Sequence, residues 1–400
     1  MDQSAPSKRS SRQHFRLTVL PLAALVTLGV VTFVAALVAP DGSDQLGGDF
    51  PAFYAAGSIV AESGYENLYD PAVQQAAQAG LLEDEGGYLF FAYPPFVATG
   101  YSWLAPLGYR GAYLVQMALM AAAAVASVLL LRPFSTTVQR YPAAVIAAVI
   151  LFQPLVASLI GGQNTALTML LLAGAARAEA SGYPVLAGVA VGLLAYKPQY
   201  GLPLAVVAAL ASKWRVVAGT AATWAALYLA GAAAQGAGWV GPWWEQATAF
   251  RDINATVNGR LFVSLPGFIE HTLGMSGSAG QLFGLAVGGA GVLAVAWIWR
   301  RPTVSVAARY AVAAAGLILV APQSLFYEAG LAAIVLILLA DLDDRVRPMA
   351  LGAWIAGWLY LISEPLVNTT VLVIALTAIL ILAVIHTVAA TMRGSVEANA

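Results

Sequence analysis

Residues 111–131 read GAYLVQMALMAAAAVASVLLL, an uncharged run closed by Arg110 on one side and Arg132 on the other. About 20 apolar residues in a helix, rising about 1.5 Å each, match the roughly 30 Å hydrocarbon thickness of a bilayer. The run reads as a membrane span. Composition extends that reading to the whole chain, because 60% of the residues are hydrophobic and only 10% are charged, a balance far from that of a soluble domain. A formal net charge of -1, with no basic face, argues against a nucleic-acid partner. Cysteine is absent, which removes disulfides, thiolate metal sites and a cysteine nucleophile from consideration.

Upstream, Lys8, Arg9, Arg12 and Arg16 precede the apolar run 17–38. It is long for a signal sequence and right for an uncleaved first helix with a cytoplasmic N-terminus. Further apolar runs fall at 143–160, 165–176, 185–195, 202–211, 216–234, 281–299, 304–321, 325–340, 350–362 and 370–390. The expectation is an all-α integral membrane protein, a polytopic bundle of about 12 transmembrane helices. Several runs are too short to cross alone, so neighbouring helices must bury their ends.

Basic residues test this layout. Arg132 and Arg140, Arg177, Lys213 and Arg215, Arg300 and Arg301, and Arg345 and Arg347 fall in every second connection, and Arg393 follows the last run. That is the bias of cytoplasmic loops. The chain is thus expected to form one membrane domain, 1–400, with a basic cytoplasmic tail at 1–16 and another cytoplasmic tail at 394–400. Two outer loops, 40–94 and 236–280, do the work. Only Arg110, Lys197, Arg251 and Arg260 land outside, with Arg309 inside a span near its cytoplasmic end. Acidic residues, including Glu83, Asp84 and Glu85, gather in the first outer loop.

That loop begins Gly47-Gly48-Asp49-Phe50-Pro51-Ala52-Phe53-Tyr54. Short interfacial helices are expected at 49–61, with Asp49 at the N-cap, Pro51 just inside and Gly64 closing, and at 71–82. The segment 96–107 reads as a third, with Tyr101, Trp103 and Tyr109 at headgroup depth. Trp239, Trp243 and Trp244 suggest an aromatic belt. His271 is expected to be solvated, and with His14 and His386 near the cytoplasmic face no metal constellation arises.

The Gly-Asp-Phe start at Asp49, Leu68-Tyr69-Asp70-Pro71, Tyr93-Pro94-Pro95-Phe96, Ala105-Pro106-Leu107, Gly161-Gly162-Gln163-Asn164-Thr165, Lys197-Pro198-Gln199 and Pro322-Gln323-Ser324-Leu325-Phe326-Tyr327-Glu328 occur in an order that resembles glycosyltransferase family 87. The likeness runs from the first span to about residue 340. It implies a GT-C-like membrane enzyme, similar to polyprenyl-phosphate-mannose-dependent mannosyltransferases. The implied reaction moves a hexose, with mannose expected, from a polyprenyl-phosphate sugar to a glycolipid or cell-envelope glycan, with inversion. It implies a multi-pass cell-membrane protein with both termini cytoplasmic and an extracytoplasmic active site. The chain departs from related sequences at Gln323 and Glu328, where histidine and aspartate are common, and an amide cannot take a histidine's proton-exchanging role.

Such a transfer needs a base for the acceptor hydroxyl and cations for the leaving phosphate. Asp49 fits the base, the alternative being an ordinary N-cap. Lys197 fits the phosphate, since a cation between apolar runs must face a polar cavity or an anion; the alternative is snorkelling to the headgroups. Arg251 and Arg260 could clamp the same phosphate, or pair with Asp252 and Glu245. Tyr54, Tyr93, Gln163, Asn164, Gln199, Gln323 and Glu328 are the expected sugar and acceptor contacts. Gln163 and Asn164 could equally form a turn, and an ion pair between Glu328 and Lys197 would account for both charges.

No Walker, dinucleotide-binding or HExxH motif is present, and no cofactor is expected. The competing class is a transporter or flippase of a lipid-linked sugar. It predicts matching broken helices in two halves, a repeat this sequence lacks.

Overall fold

The computed structural model describes residues 47–82, 88–275 and 277–339, with a few positions at 30–34, 352–358 and 373–381. The tails, nearly all of the expected spans 17–38 and 370–390, much of 350–362, and Glu83, Asp84, Glu85, Arg345, Arg347, Arg393, His14 and His386 lie outside the described residues.

The described chain is helical, with a single isolated β-bridge, Phe262 to Leu325, and no strands. Among these residues three helical stretches are long and apolar enough to cross a membrane: Pro95–Phe134, Trp214–Gln235 and Leu282–Trp299. Shorter apolar helices, Pro184–Tyr196, Pro198–Leu210, Val306–Val320 and Phe326–Leu339, fall at other expected runs.

The first outer loop folds as α1 (Phe50–Ser63) and α2 (Pro71–Gln78), the second ending four residues short of expectation. Asp70 caps α2 by accepting from the backbone N–H of Ala72 and Val73 at 2.8 and 3.1 Å. Beyond α2 the chain returns along Gln78. That side chain donates to Leu89 O at 2.9 Å and accepts from Leu89 N at 2.8 Å. Buried amides thereby satisfy backbone that has no ladder of its own.

The expected interfacial helix does not stand apart. Helix α3 (Pro95–Ser102) passes through a 3-10 turn, Ala105–Leu107, into α4 (Gly108–Leu131), and the whole Pro95–Phe134 stretch passes as a span.

The run 143–160 breaks into α5 (Pro142–Ile150) and α6 (Gln153–Ile160), bent by 63°. Pro154 has no N–H and clashes with a preceding helical turn, so α6 must start afresh. The break diverts Phe152 N to Val149 O, which takes away the helical partner of Ala148 O; Trp354 Nε1 donates to that carbonyl at 2.8 Å instead.

Helices α7 (Thr165–Ala180), α8 (Pro184–Leu193), α9 (Pro198–Leu210) and α10 (Trp214–Gln235) follow. Small residues let α8 and α10 touch: a Cβ at Gly188 would lie 2.1 Å from Val216 O, and one at Gly219 2.2 Å from Val185 O.

The second outer loop contains a helix that its polar sequence conceals, α11 (Val240–Asn258), ahead of α12 (Gly277–Trp299), α13 (Val306–Val320) and α14 (Ala332–Leu339). Trp243 Nε1 on α11 donates to Ala92 O at 3.2 Å, joining the two outer loops. Trp239 is buried against Phe96, Tyr228 and Trp243, while Trp244 stays exposed. Only Trp244 keeps the exposure expected of a belt residue. His271 is half-buried and not fully solvated: it packs edge-on against Phe262 at 5.3 Å, beside Glu270.

At the end of the bundle expected to be cytoplasmic, Glu179 receives Lys213 at 3.4 Å and Arg309 at 3.1 Å. That pairing accounts for the arginine within a span, because a cation there needs a partner.

Candidate active site

Asp49 occupies the residue before α1, yet its carboxylate makes no capping hydrogen bond. It accepts instead from Gln163 Nε2 at 2.5 Å. The ordinary N-cap role is therefore taken by Asp70 on α2 and not by Asp49 on α1.

Two glycines permit that contact. The turn after α6 bends back at Gly162, whose φ is +65°, a conformation in which a β-carbon is strained. A Cβ there would also lie 2.5 Å from Phe50 Cβ, and one at Gly48 would meet Gly161 Cα at 3.0 Å. Backbone thus touches backbone, with Asp49 N donating to Gly161 O at 3.1 Å and Tyr113 OH donating to Ile160 O at 2.8 Å. Gln163 lands beside the carboxylate as a result.

Burial raises the Asp49 carboxyl above its ordinary value, because a charged group is disfavoured away from water. The Gln163 hydrogen bond and the Lys197 charge oppose that rise.

Lys197 sits where a 3-10 turn, Leu194–Tyr196, gives way to α9 at Pro198. Its ammonium is buried and donates to Glu328, whose other oxygen accepts from Thr165 Oγ1 at 3.3 Å. The two charges therefore neutralise each other, and Lys197 is not a lone snorkelling cation. Lys197 also lies over the Tyr196 ring at 5.9 Å.

Tyr196 ties the pair back to the glycine turn, since its hydroxyl donates to Asn164 O at 3.1 Å and meets Thr168. Tyr93 stacks on Tyr196 at 6.4 Å and packs against Phe53 of α1 at 4.9 Å. Asp49, Tyr93, Gln163, Asn164, Lys197 and Glu328 thus come from five separate stretches into one cluster.

Other expected contacts lie less centrally. Tyr54 OH donates to Ala105 O at 3.4 Å, and its ring packs on Phe50 and Tyr109. Gln199 is half-buried in the first turn of α9. Gln323 bridges to α11, donating to Arg251 O at 2.7 Å and accepting from Asn254 Nδ2 at 3.0 Å. Arg251 itself makes an exposed pair with Asp252 at 2.9 Å, and Arg260 is exposed in the turn Gly259–Leu261.

Sequence reading passed over Tyr327 as a site residue. It precedes Glu328 in the 3-10 turn Phe326–Leu331. The signal was its position next to Glu328 in the motif already singled out.

The cluster pairs a carboxylate able to take a proton with a buried cation and two amides able to meet hydroxyls. Among the described residues no group of three or more His, Cys, Asp or Glu could hold a metal ion. A family model described as glycosyltransferase family 87 matches residues 91–322, more than half of the chain. The match takes in Tyr93, Gln163, Asn164, Lys197, Gln199, Arg251 and Arg260. Asp49 and Tyr54 precede it, and Gln323 and Glu328 follow it. No curated protein matches the chain.

Proposed function

Because the chain belongs to glycosyltransferase family 87, and is therefore a membrane glycosyltransferase, we propose that it moves a hexose, mannose by our reading, from a polyprenyl-phosphate sugar to a glycolipid or cell-envelope glycan, with inversion. The observation that carries this reading is the Asp49 carboxylate. It stands at a helix start without capping it, and Gln163 aims it toward a cluster that also holds Lys197 and Glu328.

In this reading the acceptor hydroxyl attacks the anomeric carbon while Asp49 takes its proton. The bond from that carbon to the phosphate oxygen breaks, and the electron pair leaves with polyprenyl phosphate. Lys197 has three N–H donors and Glu328 takes one, so the others are free to meet phosphate oxygens. Arg251 and Arg260 approach the phosphate from the second outer loop. Tyr54, Tyr93, Gln163, Asn164, Gln199, Gln323 and Glu328 line the sugar and acceptor sites.

We place the site on the extracytoplasmic side, with both termini cytoplasmic and about 12 spans, on the distribution of Lys and Arg. The donor is tested by offering purified protein labelled polyprenyl-phosphate mannose, polyprenyl-phosphate glucose or nucleotide-activated mannose with a membrane glycolipid extract as acceptor. Transfer from polyprenyl-phosphate mannose is expected. Transfer from the nucleotide sugar alone overturns the donor assignment.

A further inference from the structure

The Gln163 amide is only half used by the protein. A carboxylate oxygen only accepts, so contact with Asp49 fixes Nε2 toward that residue and turns Oε1 away from it. Gln163 is 4% exposed, and its Oε1 is buried and receives no hydrogen bond from any described residue. Asn164 repeats the pattern at 3% exposure, with Oδ1 buried and likewise without a donor among the described residues. Buried polar atoms are nearly always hydrogen-bonded, so two adjacent acceptors beside a candidate base point to hydroxyl donors brought by a substrate.

We propose that Gln163 is the positioning residue for Asp49, and that its Oε1 accepts from the hydroxyl next to the attacking one, so that the acceptor presents two neighbouring hydroxyls, as a sugar or cyclitol ring does. The inference rests on the reading of Asp49 as the base. Gln163 holds Oδ2 and leaves Oδ1 for the proton of the attacking hydroxyl. The second hydroxyl, donating to Gln163, sets the angle of the first and carries no proton away. A simple long-chain alcohol satisfies Asp49 but leaves Oε1 buried without a donor, so it is a poor acceptor.

The test has one readout that needs no transfer. Infrared difference spectroscopy follows the protonated carboxyl band of Asp49 against pH, assigned by its absence in Asp49→Asn. Gln163→Met removes a hydrogen bond to the charged form and should move the midpoint upward, and Gln163→Glu should move it further by adding a like charge. An unmoved midpoint in both variants overturns the positioning role.

The second readout uses octyl mannoside and its monodeoxy analogues as acceptor probes. Removing the hydroxyl beside the attacking one should lower kcat/KM about tenfold or more in wild type and by less than about twofold in Gln163→Met, since the partner is already gone. An equal penalty in both proteins overturns the two-hydroxyl requirement. If Asp49→Asn transfers sugar normally, the base reading fails instead, a result separate from the titration of Gln163 variants.

Discussion

Asp49 stands at the first turn of α1 but bonds to Gln163, 114 residues further along the chain, and leaves the helix N–H groups without its side chain. A carboxylate withheld from its local partner and held by a distant amide is the arrangement that the proposed base role requires. Asp70, one helix later, shows the ordinary alternative.

That contrast gives the first prediction. Asp49→Asn should reduce transfer by about two orders of magnitude or more with donor binding largely kept, because an amide cannot accept the proton. Asp70→Ala should leave turnover intact and lower stability by about 1 kcal/mol through loss of a true cap. Transfer assays and thermal unfolding of purified, monodisperse variants separate the two.

The raised Asp49 carboxyl sets a second expectation. A base works only when ionised, so the acid limb of kcat/KM should fall above the ordinary value of 3.8. An acid whose folded value is raised adds stability below its unfolded value, and that stability is lost as pH rises through the folded one. Asp49→Asn should therefore unfold at a higher temperature than wild type near neutral pH, while the two converge toward acid. A wild-type advantage at neutral pH would contradict this.

A third prediction concerns Lys197 and Glu328. Lys197→Met alone strands a buried carboxylate, so it should be destabilising by about 3–5 kcal/mol, and Glu328→Gln alone by a similar amount. The double variant should recover most of that loss yet remain poor in using the polyprenyl-phosphate donor. Additive losses in the double-mutant cycle would mean that the two charges are not coupled.

Gly162 supports the fourth. Gly162→Ala forces a side chain into a left-handed backbone and against Phe50, so about 1–3 kcal/mol of stability and much of the activity should disappear as Gln163 moves off Asp49. Gly174→Ala, on α7 with nothing within 4 Å of the added carbon, should be neutral or stabilising. Equal behaviour of the two would remove the tight turn from the account.

Hydropathy is a property of consecutive residues, and the bilayer imposes its length on each apolar run. The all-helical membrane class, the position of α4 and the start of α1 at Asp49 were therefore legible in the sequence. Short motifs likewise marked Asp49, Gln163, Asn164, Lys197 and Glu328 before their positions were known. Helix α11 was hidden because Glu245, Arg251 and Asp252 break its apolar pattern, and the bend at Pro154 was hidden because a run of apolar letters continues across it.

Only the tertiary structure decided who meets whom. The sequence left Asp49 as base or cap and Lys197 as phosphate ligand or snorkelling cation. The Asp49 carboxylate turned to Gln163 because Gly48, Gly161 and Gly162 let two backbones touch, and Lys197, at the start of α9, met Glu328, 131 residues further along in the turn beyond α13. Local propensity cannot encode such pairings, since their energy comes from removing both partners from solvent together.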